Sequence, residues 1–136
     1  MGIHLNPYLH FADSARAAME FYRDVLGGTL NVMTFGDMGS DGPEARQVMH
    51  AQLETEQGIV LMASDTPPGM DRPSGSSVSV SLSGDDGDRL RRWFEQLSAE
   101  GTVSVPLEKQ MWGDEFGQCT DRFGVTWLVN IAQPQG

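Results

Sequence analysis

The chain has 136 residues, 39% hydrophobic and 21% charged, which is enough apolar content for one packed domain. Nine Lys and Arg stand against 19 Asp and Glu, a formal charge of −10, so there is no basic stripe for nucleic acid and no attraction to an anionic membrane surface. No apolar run approaches the ~20 residues of a membrane helix, and the lone Cys119 permits neither an intrachain disulfide nor a cysteine metal cluster.

The opening Met1-Gly2-Ile3-His4 lacks the basic-then-apolar pattern of a leader, and Asn6 stands where a myristoylation signal needs Ser or Thr. A soluble, cytoplasmic protein is therefore expected. Residues 3–11 alternate: Ile3, Leu5, Leu9 and Phe11 share one face, His4, Asn6, Tyr8 and His10 the other. Pro7 donates no ladder hydrogen bond, which marks an edge or bulged strand. Asp13 is the expected N-cap of a helix ending near Leu26, whose buried stripe is Ala18, Phe21, Tyr22, Val25 and Leu26. Gly27-Gly28 ends it.

Strand-like runs follow at about 29–36, 46–55 and 59–64, separated by a glycine-rich loop and by Glu56-Gln57-Gly58. Residues 67–75, with three prolines and two glycines, read as a linker between modules at about 1–66 and 76–136. After it Val78, Val80 and Leu82 alternate with serines, and a helix over about 86–99 carries Leu90, Trp93, Phe94 and Leu97 at helical spacing. Three runs close the chain, at about 103–108, 115–120 and 125–131, with a turn at Asp121-Arg122-Phe123-Gly124. The order is βαβββ, linker, βαβββ, a repeat of elements rather than of letters.

Several segments carry a resemblance. Asn6-Pro7-Tyr8-Leu9-His10-Phe11 with Phe21-Tyr22 and Leu26-Gly27 resembles the opening of the PhnB-like branch of the vicinal oxygen chelate superfamily. That superfamily includes glyoxalase I, bleomycin-resistance proteins and extradiol dioxygenases. Val48-Met49-His50-Ala51, Leu61-Met62-Ala63-Ser64-Asp65, Trp112-Gly113 and Asp121 to Trp127 are similar to the same branch. The resemblance implies an α+β fold: two βαβββ modules whose curled mixed sheets surround a cup, with helices on the outer faces. It also implies a homodimer and a small-molecule ligand. In metal-dependent members four side chains in the cup hold a divalent ion, and the matching positions here are Asn6, Met62, Ser79 and Leu128. None is His, Glu or Gln. Met62 and Leu128 offer a hard cation nothing, so no metal and no cofactor is expected unless a strand is out of register by one residue.

The period-two pattern points to the same face. Opposite the helices it sends Tyr8, His10, His50 and Gln52, with Ser79, Met62, Leu128 and Asn130, a mixed surface suited to a small organic ligand. The expected ligand pocket is Asn6, Tyr8, His10 and His50 together with Met62, Ser79, Trp112 and Leu128. His10 and His50 read either as general base or metal ligand, or as histidines satisfied at strand ends. Glu54 cannot join His50, because i and i+4 on a strand lie about 13 Å apart. Serines 77, 79, 81 and 83 form either a hydroxyl ladder or a solvated face. None sits in a Gly-x-Ser-x-Gly elbow, which argues against a nucleophile. Cys119 reads as core. Trp112, in an expected loop at 106–114, forms a wall over the cup or closes the core. Members of this branch are sometimes labelled demethylubiquinone methyltransferases, but no glycine-rich dinucleotide-type turn follows the first strand. Two functions follow: a binding protein of the glyoxalase/bleomycin-resistance type without the usual metal, or an enzyme of lyase, isomerase or dioxygenase type using the same cup. No catalytic residue is assigned.

Overall fold

A computed structural model describes residues 5–66 and 78–133, in two compact units, Met1–Gly75 and Ser76–Gly136. The expected linker at 67–75, His4 and Ile3 lie outside the described residues. In the first unit the order is β1 (Tyr8–Phe11), α1 (Ala15–Leu26), β2 (Thr29–Thr34), β3 (Val48–Glu54) and β4 (Val60–Asp65). The second repeats it with β5 (Val80–Gly84), α2 (Gly87–Ser98), β6 (Thr102–Lys109), β7 (Glu115–Thr120) and β8 (Thr126–Ile131). Each unit is a four-stranded mixed sheet, ordered β1-β4-β3-β2 and β5-β8-β7-β6. The α+β class and the twofold βαβββ order are those expected; neither sheet closes on itself.

In each sheet the first and last strands of the unit pair in parallel, β1 beside β4 and β5 beside β8, while the helix carries the chain from one edge strand to the other, β1 to β2 and β5 to β6. Pro7 sits just before an edge strand, as its missing N–H requires, and its carbonyl accepts from the Met62 amide at 3.0 Å. A second proline, Pro106, also lies on an edge strand, where the β6 register shifts between Val105 and Glu108.

Burial follows period 3.6 on the helices and period 2 on the strands. Helix α1 buries Ala15, Ala18, Met19, Tyr22, Val25 and Leu26 against Ala51, Leu53, Leu61 and Ala63 of the sheet behind it. Phe21, expected in that stripe, is only half-buried. Helix α2 buries Leu90, Trp93, Phe94 and Leu97, and the facing strands supply Cys119, Trp127, Val129 and Ile131. Gly117 is required there: a Cβ would lie 3.0 Å from the Phe94 ring and 2.9 Å from the Leu107 Cα.

Some expectations are corrected. Asp13 does not cap α1. Ser14 holds the cap position without a side-chain bond, and the first amide, Ala15 N–H, donates to the Asp65 carboxylate at 2.9 Å. A buried tertiary partner displaces the local cap. Strand β2 stops at Thr34 because Thr34 and Asp37 bond each other's amides, turning the chain into a 3₁₀ turn at Gly36–Met38. Pro43–Arg46 forms another such turn, so β3 begins at Val48. Leu5 is 99% exposed and precedes the strand, and Val78 is likewise exposed ahead of β5. The supposed loop at 106–114 is strand as far as Lys109; only residues 110–114 turn.

Candidate ligand-binding face

Strand register decides which side chains of the first unit stand together. Asn31 pairs with Gln52, Gln52 with Met62, and Met62 with Tyr8, so one rank crosses all four strands. The next rank holds Met33 opposite His50 and Ser64 opposite His10. Directly paired residues share a face. Their neighbours Ala51, Leu53, Leu61 and Ala63 are buried on the α1 side, so both ranks lie on the side without a helix.

On that face three rings and an amide are linked. Tyr8 reaches across β4 to place its hydroxyl 3.3 Å from His50 Nδ1, and His50 Nε2 lies 3.4 Å from Gln52 Oε1. The Tyr8 ring is tilted against both imidazoles, with centroids 5.2 Å from His10 and 5.8 Å from His50. Tyr8 and Met33 are each 42% exposed, so hydrocarbon, sulfur and polar atoms are presented together. No position in either rank carries Asp, Glu, Lys or Arg. Beyond Gln52 on the same side of β3 stands the exposed Glu54, paired with Thr29 and Val60, the nearest carboxylate along that strand.

The second unit has a corresponding helix-free side. Leu128 pairs with Ser81 and Gln118, and Phe116 with Asn130. Leu128 is half-buried, while Trp127 and Val129 beside it are fully buried toward α2. Asn130 donates to Asp114 at 3.1 Å, and Asp114 also accepts from the Gln133 amide, which pins the β6–β7 turn to the end of β8. Trp112 stands on that turn, 61% exposed, its ring edge-on to Phe116 at 6.3 Å. Arg91 of α2 bonds Glu115 at the start of β7, and that hydrogen bond holds the Glu115 carboxyl below its ordinary range. Burial, with the nearby Asp121 charge, pushes the Cys119 thiol up to about 11, as suits a core residue rather than a nucleophile.

Tyr8, His10, His50 and Met62 thus share one face of one sheet. Asn6 is half-buried in the segment before β1, and Ser79 is exposed just before β5. Ser79, Trp112 and Leu128 belong to the second unit. Sequence reasoning did not single out Asn31 and Met33, although the alternation of Leu30 and Val32 with them was present to be read. It also missed the role of Asp65, a buried carboxylate whose only sequence sign is its place at the end of an apolar run.

Residues 4–129 match the glyoxalase family, described as the Glyoxalase/Bleomycin resistance protein/Dioxygenase superfamily. The chain belongs to this superfamily. Among solved structures it is similar to the Pseudomonas aeruginosa protein PA1353, at 37% identity and a TM-score of 0.88, covering 98% of this chain and all of that one. A PhnB protein from Bacillus cereus shares the fold at a TM-score of 0.74 and 22% identity, over 96% of this chain and 100% of that one. YjdN of Escherichia coli K12 is 27% identical over 144 residues, 96% of this chain and 97% of its own length.

The divalent ion of some members of the superfamily does not fit this donor set. Met62 presents a thioether and Leu128 a hydrocarbon, and hard cations take oxygen ligands. A one-residue shift of register does not mend it, because it would bring in Leu61 or Ala63, and Trp127 or Val129, all buried on the helix side. Among the described residues no three His, Cys, Asp or Glu side chains come together as a metal cluster.

Proposed function

We propose that this superfamily member is a small-molecule-binding protein that works without the usual metal site, its two units serving as modules of one domain. The observation that carries this reading is the half-exposed face holding Tyr8, His10, His50 and Met62, whose two ranks carry no Asp, Glu, Lys or Arg and array ring, thioether and amide groups side by side. Small-molecule sites combine mostly apolar walls with a few placed polar groups. Asn6 is proposed as further lining of this face, and Ser79, Trp112 and Leu128 as ligand-lining residues on the second unit's own helix-free side.

The test is melting of the purified protein against a panel of small metabolites, repeated with Met62→Trp and Leu128→Trp. Compounds that raise the midpoint of the native protein should lose that effect in the Trp variants, which themselves melt within a few degrees of the native protein. A Trp variant that is unfolded instead would assign its position to close-packed core. Retained binding in both would place the ligand elsewhere. Elemental analysis giving about one zinc, nickel or iron per chain after chelation would overturn the metal-free reading.

One observation favours an enzyme as the second reading: His50, bonded on both ring nitrogens, is oriented as a general base is oriented. Turnover of a panel compound, lost in His50→Gln, would decide for it. We further propose a cytoplasmic homodimer. Four edge strands, β1, β2, β5 and β6, carry unpaired ladder groups within their own sheets, and partner pairing is one way to cover them. Light scattering at micromolar concentration with a mass near 14.9 kDa would exclude it. No described helix is long and apolar enough to cross a membrane, and the acidic charge argues against nucleic acid.

A further inference from the structure

The face has a direction as well as a composition. An amide oxygen is only an acceptor, so with Gln52 Oε1 3.4 Å from Nε2 a neutral His50 can bond it only as the Nε2–H tautomer. In that tautomer Nδ1 is a bare lone pair, and the Tyr8 hydroxyl 3.3 Å away is the group that can donate to it. What the phenol leaves for anything arriving from solvent is its oxygen lone pairs. Their acceptor strength is raised because the O–H is already polarised by the imidazole.

The surroundings restrict the rest of the ligand. A charged group leaving water needs an opposite charge or strong hydrogen bonds to meet it, and neither rank offers a formal charge. The exposed Tyr8 ring and the Met33 side chain offer flat and polarisable surface, and thioether sulfur packs favourably against aromatic rings. We propose that this face takes an uncharged, planar aromatic ligand that presents an O–H or N–H donor to the Tyr8 phenol oxygen. This rests on the small-molecule reading above and narrows it. Gln52 is a positioning residue: it touches His50 and fixes which way the chain of hydrogen bonds runs.

The test uses the full chain carrying ¹³C-methyl methionine and ¹⁵N histidine, with three probes of similar size: phenol, anisole and benzoate. At alkaline pH, where imidazole is neutral, His50 should show Nε2 protonated and Nδ1 bare. Phenol should shift the Met33 and Met62 methyls at concentrations about fivefold lower than anisole, the worth of one net hydrogen bond, with benzoate weakest. Tyr8→Phe should bring the phenol-to-anisole ratio near one. Gln52→Met should lower it too and release the tautomer, an effect that mere loss of packing would not produce.

A protonated Nδ1, benzoate as the tightest probe, or anisole matching phenol would each overturn the proposal. In the last case, methyl shifts from both probes leave the small-molecule reading intact and remove only the donor rule. If none of the three moves either methyl, the face is not the ligand site and both readings fall.

Discussion

Replacing Asp65 tests how the first unit is held together. Its carboxylate is 5% exposed and accepts two backbone amides at 2.9 Å, Ala15 N–H at the start of α1 and Val48 N–H at the start of β3. A single side chain on β4 therefore ties the helix terminus to its neighbouring strand. Hydrogen bonds to a charged group contribute about 1.5–3 kcal/mol each, and removing the acceptor leaves two buried donors unpaired. Asp65→Ala should cost about 3–5 kcal/mol, a large share of the ~5–15 kcal/mol that holds a domain folded. Asp65→Asn keeps one acceptor oxygen and turns its NH₂ toward the other amide, so about 2 kcal/mol is expected. Urea unfolding followed by far-ultraviolet circular dichroism measures both, with the slope unchanged if only stability alters. Asp13→Asn is the control: Asp13 is exposed and should stay within about 0.5 kcal/mol of the parent. Asp65→Asn matching the parent, or Asp13→Asn costing more than Asp65→Asn, would refute the tertiary cap.

Other outcomes follow from single contacts. Gly28→Ala should destabilise by more than Gly39→Ala as read by urea unfolding: both sit at φ near +100°, but only at Gly28 would the added Cβ fall 2.3 Å from the Glu54 carbonyl oxygen. Cys119 should resist a thiol reagent at pH 8 in the native protein, where about one thiol in a thousand is ionised, and react readily in denaturant. Between about pH 9 and 11 the unfolded chain ionises this thiol and the folded one does not. Native stability should decline over that window, and less so in Cys119→Ala. Glu115→Gln removes a carboxylate whose folded pKa is depressed, so its stabilisation is present above the unfolded carboxylate range and is lost as pH falls through the folded value. The variant should be weaker at neutral pH and converge with the parent in acid.

The order of elements was written in the residues because helices and strands announce themselves through local periodicity. Met49 to Glu54 and Thr126 to Ile131 alternate, Leu90 to Leu97 repeats at helical spacing, and each set needs only its own neighbours to be read. The helix-free side of each sheet was legible for the same reason, since alternation alone sends Tyr8, His50 and Met62 away from the helix in the first unit and Leu128 in the second. The family could be read from short motifs along nearly the whole chain. Strand order was not local. That β4 lies between β1 and β3, so that Tyr8 can cross it to meet His50 forty-two residues away, depends on which strands pair. Register brought Asn31 and Met33 into the same ranks, and a carboxylate fifty residues away displaced Asp13 as the helix cap. Periodicity is fixed by backbone geometry within a segment. Pairing, register and buried hydrogen bonds are fixed by which distant groups can be satisfied at once, and only the folded chain decides that.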